Sequence, residues 1–381
     1  MLAALAMGGV SGCGGSGGGG GNAGDTDRDG VAQAQAVVAE YLKPMKWQAP
    51  GPAFKPADNL DGTVYIVPNT TKNYFFQQVI GGLTEAAGVF GMDVVAVETE
   101  GKISEAARGI REAVGRKAAA IVIGSLQSQA LAQPIKEATA AGIPVITMFD
   151  KEEVGEQPQP NMSALSPEQA ALGIFGDTED CNTCMGRALA ALAVAQSGGN
   201  ANAVSIMFPE IPPSKYQSAG FLGGMKEFCP NCKTKETGFP ISEVGTQLGP
   251  ATSAALSDPK VNYLVPVFNF MVPMMTPVIN AAGAAARATV ITQGSDPEVL
   301  KMIKSGKLGG LVASPDGWFG WNAFDQVLRA LSGQPPAQDS YLPSRLITKE
   351  NIDSIDINAP QAAWFGVDYR SELKKLWGLS Q

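Results

Sequence analysis

The sequence predicts an α/β protein of two similar Rossmann-like lobes, each a parallel sheet with helices on both faces, joined by a hinge. Three observations carry this expectation. Between Thr63 and Thr147, short apolar strands alternate with helical stretches. The alternation restarts after Cys184. The chain is long enough, at 381 residues with 45% hydrophobic content, to bury a core in each lobe. Such alternation marks βαβ units, and right-handed crossovers place their helices on both sheet faces.

The chain opens on small apolar residues, Met1 to Val10, which run into Val10-Ser11-Gly12-Cys13. That stretch resembles the lipobox of bacterial lipoprotein signals, which implies that Cys13 becomes the lipidated first residue after cleavage. No Lys or Arg precedes the run, so the natural start is expected upstream of Met1. Gly14 to Gly24 is a Gly-rich tether with no reason to fold. Asp25-Thr26-Asp27-Arg28-Asp29-Gly30 opens like a calcium loop. Its twelfth position is Ala36 where a bidentate Glu is needed, so an acidic linker is expected and no metal. Residues 31–43 form an amphipathic helix ended by Pro44, and Pro50, Pro52 and Pro56 keep the next stretch irregular.

The folded body begins near Gly62. Strands are expected at Thr63–Val67, Asp93–Val97, Ala119–Ile123 and Pro144–Thr147, with helices at Phe75–Phe90, Ile103–Val114 and Gln129–Ala140. In the second series, helices fall at Cys184–Gln196, Tyr216–Phe228, Val272–Ala286 and Pro297–Ser305. Strands fall at Ala203–Phe208, Val261–Val267, Thr289–Thr292 and Leu308–Ala313. The expected organisation is an extension at 1–61, a first lobe of 62–172 plus 315–342, and a second lobe of 173–314 plus 343–381. Ligands of such sheets collect outside the carboxyl ends of the strands, which puts the site between the lobes.

Composition excludes several function classes. Net charge is −8 with no Lys/Arg cluster, so nucleic acid is not an expected partner. The chain has no His, which removes His-based triads and the usual near-neutral acid–base catalyst. No enzyme activity and no cofactor is expected. Apart from Cys13, the cysteines form two close pairs, Cys181/Cys184 and Cys229/Cys232. Outside the cytoplasm an even set reads as disulfides, either within each pair or across them. A four-thiolate zinc site and a thiol-redox centre at Cys184 are the rival readings.

Several motifs together resemble the type I solute-binding family of ABC importers, sugar-binding periplasmic proteins. They are Asn73-Tyr74-Phe75-Phe76 after the first strand, Ala120–Ser125, and Gly142–Thr147 followed by Met148-Phe149-Asp150. Gly186-Arg187, Ala219-Gly220-Phe221 and Gly306-Lys307-Leu308 complete the set. The resemblance covers about Gly62 to Ser344. It implies a hinge-cleft site in which Asn73, Phe75 and Phe76 supply a polar group and two stacking rings. It implies Asp150 as the acid for ligand hydroxyls. Gln217, Phe268, Asn269, Gln293 and Ser314 fall at further ligand positions, and Trp318 is a further stacking candidate. Where relatives carry charge, this chain has Gln217, Asn269 and Gly294, so a neutral polyhydroxy solute is implied. The implied partners are that solute and an ABC permease, with the protein an extracytoplasmic, lipid-anchored monomer. A sensing receptor of the same fold is the alternative, and a CxxC oxidoreductase a lesser one. A repressor core would need an N-terminal helix-turn-helix where this chain has its Gly tract.

Overall fold

The computed structural model describes residues 23–150 and 163–379. The expected lipidation site Cys13 and the Gly-rich tract up to position 22 lie outside the described residues. The first lobe is built from β1 (Thr63–Pro68), β2 (Asp93–Ala96), β3 (Ala120–Gly124), β4 (Val145–Met148) and β5 (Gly176–Asp180). Its helices are α2 (Tyr74–Gly88), α3 (Ile103–Gly115), α4 (Ala132–Ala140) and α5 (Pro167–Ala171), and α1 (Ala23–Tyr41) precedes them all. The second lobe holds α6 (Asn182–Ser197), β6 (Asn202–Met207), α7 (Pro212–Phe228), β7 (Lys233–Gly238) and α8 (Val244–Leu256). It continues with β8 (Tyr263–Pro266), α9 (Met271–Ala281), β9 (Thr289–Gln293), α10 (Pro297–Lys304) and β10 (Gly310–Ala313). The chain then forms α11 (Asp316–Leu331), β11 (Tyr341–Leu342), β12 (Arg345–Thr348) and α12 (Tyr369–Leu376).

Each sheet has six strands, in the orders β11-β5-β4-β3-β1-β2 and β12-β10-β9-β8-β6-β7. Every pairing is parallel except that of β12 with β10. The inner strands β3, β4, β8 and β10 are buried along their whole length, because helices cover both faces of a parallel sheet. The edge strand β7, Lys-Thr-Lys-Glu-Thr-Gly, is polar and largely exposed.

Among the helices that start at the cleft, two pairs pack at backbone contact. A Cβ on Gly82 of α2 would lie 2.0 Å from the Gly317 carbonyl oxygen of α11. A Cβ on Gly186 of α6 would lie 2.0 Å from the Gln217 carbonyl oxygen of α7. Only glycine permits that approach, and each pair locks a helix that starts at the cleft.

The sheet membership departs from the boundaries read in the sequence. β5 pairs with β4, so the first sheet runs to Asp180 rather than ending at 172. Its sequence, Gly-Asp-Thr-Glu-Asp, is polar although all five residues are buried, and hydrophobic patterning is blind to such a strand. The chain after β12 does not stay in the second lobe. Trp377 stacks on Trp321 of α11 at 5.5 Å, and Arg370 pairs with Glu85 of α2 at 2.7 Å. The N-terminal extension likewise spans both lobes. α1 packs on α6 and α7, whereas Trp47 stacks on Trp318 of α11 at 5.4 Å.

Candidate functional site

A cavity of about 220 Å³ lies between the lobes. It is lined from the carboxyl ends of strands in both sheets, where a doubly wound sheet presents loops and helix N-termini. From the first lobe come Asn69 after β1, Asn73–Phe76 at the start of α2, Ser125 after β3, Phe149 after β4 and Asp180 ending β5. From the second come Asn182 and Met185 of α6, Ile211 and Pro213 at the start of α7, and Phe268–Phe270 after β8. Gln293–Asp296 after β9 and Ala313–Ser314 at the end of β10 complete that wall. Asp316 and Phe319 enter from α11.

Two aromatic groups face the space. Phe75, Phe149 and Phe319 contact one another, with centroids 4.8 to 5.8 Å apart. Phe268 and Phe270 stack with Phe208 on the opposite lobe at 6.0 to 6.1 Å. Ser125 and Phe149 both hold positive φ, 52° and 58°, in the left-handed region that side chains disfavour. Strain of this kind gathers at binding sites, where neighbouring structure over-determines the backbone.

The polar lining is organised. Asn73 caps α2 by accepting from the Phe76 N–H at 2.8 Å, which leaves its amide nitrogen as the group to offer a ligand. Asn182 donates to Asp180 Oδ1 and accepts from Gln293 Nε2 at 2.9 Å, so one chain of bonds joins the end of β5 to the end of β9. Asn269 N–H donates to the Gln293 carbonyl at 2.9 Å. Two buried acceptors, Asn69 Oδ1 and Gln293 Oε1, have no hydrogen-bond partner among the described residues.

Asp316 forms a distinct corner. It is 4% exposed, and its Oδ2 accepts from Ser295 Oγ and from Gln361 Nε2 at 2.9 Å. Burial pushes its carboxyl up to about 7, against the pull of those two hydrogen bonds. Burial pushes the Tyr74 phenol up to about 12, with Asp316 and Asp296 adding to the effect. Among the described residues the lining holds no Lys or Arg.

Of the ligand residues expected from sequence, Asn73, Phe75, Phe76, Phe268, Asn269, Gln293 and Ser314 line the cavity. Ser314 also donates to the Pro343 carbonyl at 3.1 Å, tying β10 to the next crossover. Asp150, Gln217 and Trp318 are not brought to the lining. Asp150 accepts from Ser128 N–H at 2.8 Å and Gln169 Nε2 at 3.1 Å, so it braces its own loop while Phe149 takes the cavity position. Gln217 sits buried one turn behind Pro213, under the α6 contact. Trp318 is sandwiched between Trp47 and Tyr369. The sequence reading missed Asn69, Asp180, Asn182, Asp296, Asp316 and Phe319. A rule that flags every polar residue just past an expected strand end would have found Asn69, Asp296 and Asp316, whereas Asp180 and Asn182 lie at the end of β5, which hydrophobic patterning does not reveal.

Each cysteine pair closes on itself, with Cα atoms 5.1 Å apart for Cys181–Cys184 and 5.3 Å for Cys229–Cys232. Sulfurs held in disulfides are not thiolate ligands, so the four-thiolate zinc reading has no donors. Among the described residues no helix is long and apolar enough to cross a membrane.

A family model described as a periplasmic binding protein domain matches residues 64–335. The ribose import binding protein of Bacillus subtilis (strain 168) is 24% identical over 115 residues, 30% of this chain. The match spans 37% of that relative's length. An ABC transporter solute-binding protein from Agrobacterium vitis, solved with bound allitol, superposes with a TM-score of 0.65 at 20% identity. That match covers 77% of this chain and 97% of the other. A carbohydrate transporter solute-binding protein from Agrobacterium radiobacter, in complex with D-arabinose, gives 0.64 at 22% identity, covering 80% and 99%. The myo-inositol-binding protein of Caulobacter gives 0.64 at 21% identity, covering 77% and 95%. Identities this low establish the shared two-lobed fold.

Proposed function

The chain belongs to the periplasmic binding protein family, and on that premise we propose that it captures a small neutral polyhydroxylated solute, a sugar or polyol, between its lobes. It then presents the solute to the permease of an ABC importer. The observation that carries this reading is the pair of unmatched acceptors, one from each lobe. Asn69 Oδ1 and Gln293 Oε1 are buried at the cavity without a donor among the described residues. A buried acceptor left unpaired costs about 1–3 kcal/mol, and ligand hydroxyls on opposite sides of one molecule would relieve both. The aromatic groups on either wall suit the apolar faces of a sugar ring. The absence of Lys and Arg from the described lining leaves no fork for a carboxylate or phosphate. Of its carboxylates, Asp180 already accepts from Asn182, and Asp296 caps α10 by accepting from Glu298 N–H at 2.9 Å.

Binding is the work this site is arranged for. Contacts made to both lobes at once stabilise the closed arrangement, and the shift in population is limited by the difference in affinity for closed and open forms. Delivery fits an extracytoplasmic protein held at the membrane, with Cys13 as the proposed lipid attachment and the Gly-rich stretch as its tether.

A thermal-shift screen of the full chain against sugars, polyols and charged small solutes tests the reading. A ligand at a hundredfold excess over its Kd adds about 2.7 kcal/mol to stability, so at least one sugar or polyol should raise the melting temperature by several degrees. A shift produced only by anionic or cationic solutes would refute the proposed ligand class.

A further inference from the structure

We propose that the Cys181–Cys184 disulfide is a positioning device for the ligand cavity, holding the first interlobe crossover so that Asn182 presents Gln293 to the solute. The inference rests on the cavity being the solute site. Asp180 ends β5 in the first lobe and Asn182 begins α6 in the second, so Cys181 is the residue at which the chain changes lobes. Asp180, Asn182 and Met185, on either side of the two cysteines, all line the cavity. The disulfide therefore closes a four-residue loop directly beneath the lining.

That loop feeds the polar chain. Cys184 N–H donates to Cys181 Sγ at 3.1 Å, so Cys181 caps α6 and sets the direction from which Asn182 leaves the helix. Asn182 in turn donates to Asp180 and accepts from Gln293 Nε2. Gln293 has one side-chain donor group and one acceptor; the donor is spent on Asn182, which leaves Oε1 as the atom to meet a ligand. Cutting the sulfur bridge gives the crossover back its backbone freedom, and the orientation of Gln293 loses its fixed support. The crossover is also a hinge segment, so the same bond restricts the path along which the lobes close.

The second disulfide is a control built into the chain. Cys229 follows the C-terminal end of α7, whereas Pro213 at the other end lines the cavity. Sixteen residues of helix separate them by about 24 Å. Cys229 and Cys232 lie instead against the Gly199 carbonyl and the α1 interface. Loss of that bridge weakens a distant packing contact and leaves the cavity geometry alone.

The test compares Cys181→Ser/Cys184→Ser with Cys229→Ser/Cys232→Ser. Both are titrated calorimetrically with the tightest binder among allitol, D-arabinose and myo-inositol, alongside melting temperatures. Reduction in place of Cys229→Ser/Cys232→Ser with a water-soluble phosphine, which leaves the Cys181–Cys184 bridge as the one described disulfide to cut, guards against misfolding of the first variant. In that step the disulfide takes up two electrons and two protons to give two thiols, and the phosphine becomes its oxide with an oxygen atom from water. Amide hydrogen exchange of unliganded protein at residues 180–185 and 293–295 provides a readout that needs no ligand. The expected result is at least a tenfold loss of affinity, and faster exchange in both segments, for the first pair alone. Affinity within twofold of wild type with exchange unchanged at 293–295 overturns the inference, as does an equal loss from both pairs. If none of the three solutes binds wild type, the titration uses the sugar or polyol that most raises the melting temperature, and the ligand-class proposal fails by itself only if no sugar or polyol binds. The exchange data then decide the positioning role.

Discussion

Asp316 is the side chain whose ionisation the fold disturbs with the clearest consequence. Its carboxyl is raised to about 7 by burial, so the folded state holds the proton more tightly than the unfolded chain does. The stability this contributes is complete below the ordinary carboxylate range and is lost as pH rises through about 7. Asp296 and Tyr74, which share its corner, are the titratable neighbours, and the phenol stays neutral across that window. Asp316→Asn should therefore gain stability relative to wild type on going from pH 5 to pH 8, measured by denaturant unfolding. A constant difference between the two proteins across that range would contradict the assignment. At this scale the sequence revealed residue types better than their partners. Asn73, Asn269 and Gln293 were legible because they fall at ligand positions of the family that the sequence resembles, and all three line the cavity. Asp150 was misplaced because one residue of register decides whether a loop acid or Phe149 meets the cavity. Trp318 was misplaced because its stacking partners, Trp47 and Tyr369, come from the two ends of the chain.

The elements that hold the site are helices starting at the cleft and locked from behind by glycine. Gly82 and Gly320 set α2 against α11, while Gly186 and Gly220 do the same for α6 and α7. In each case an added Cβ would meet backbone, which cannot swing aside as a side chain tip can. Gly82→Ala should cost about 1–3 kcal/mol, read from denaturant midpoints, and should weaken ligand binding by displacing the start of α2. A fully stable variant would show that the two helices have room to part. Strands with an apolar run were legible in the sequence, from β1 through β10. β5 and β7 were not, since one is a buried polar strand and the other an exposed polar edge. Polar groups of β5 find partners within the fold: Thr147 Oγ1 donates to Asp177 Oδ1 at 2.7 Å, and Asp150 N–H donates to Glu179 at 3.1 Å. Periodicity records burial through hydrophobicity, so a strand buried by hydrogen bonding escapes it.

Across the whole molecule, the lobes are linked by more than the crossovers after β5, β10 and β11. The N-terminal segment leaves α1 on the second lobe and then docks on the first, where Met45 N–H donates to the Phe365 carbonyl at 2.9 Å. Arg329 of α11 gathers these outer segments. It pairs with Asp325 at 2.7 Å, donates to the Pro52 carbonyl at 2.9 Å and lies over the Phe54 ring. Trp377 Nε1 completes the cluster by donating to Asp325 at 2.8 Å. Such a buried pair orients what surrounds it, since removing either partner strands the other charge. None of this strapping was legible in the sequence, because contacts between positions almost the whole chain apart leave no local pattern. The two-lobed architecture was legible, since it repeats one local rule.

In the proposed function one solute is held by both lobes at once. Titration calorimetry of wild type, Phe319→Ala and Phe268→Ala with the polyol or sugar that most raises the melting temperature checks this. Simultaneous contact with both lobes predicts one site per chain and at least a tenfold loss of affinity, about 1.4 kcal/mol, in each variant. Unchanged affinity when either wall is cut back, with the variants folded, would contradict it.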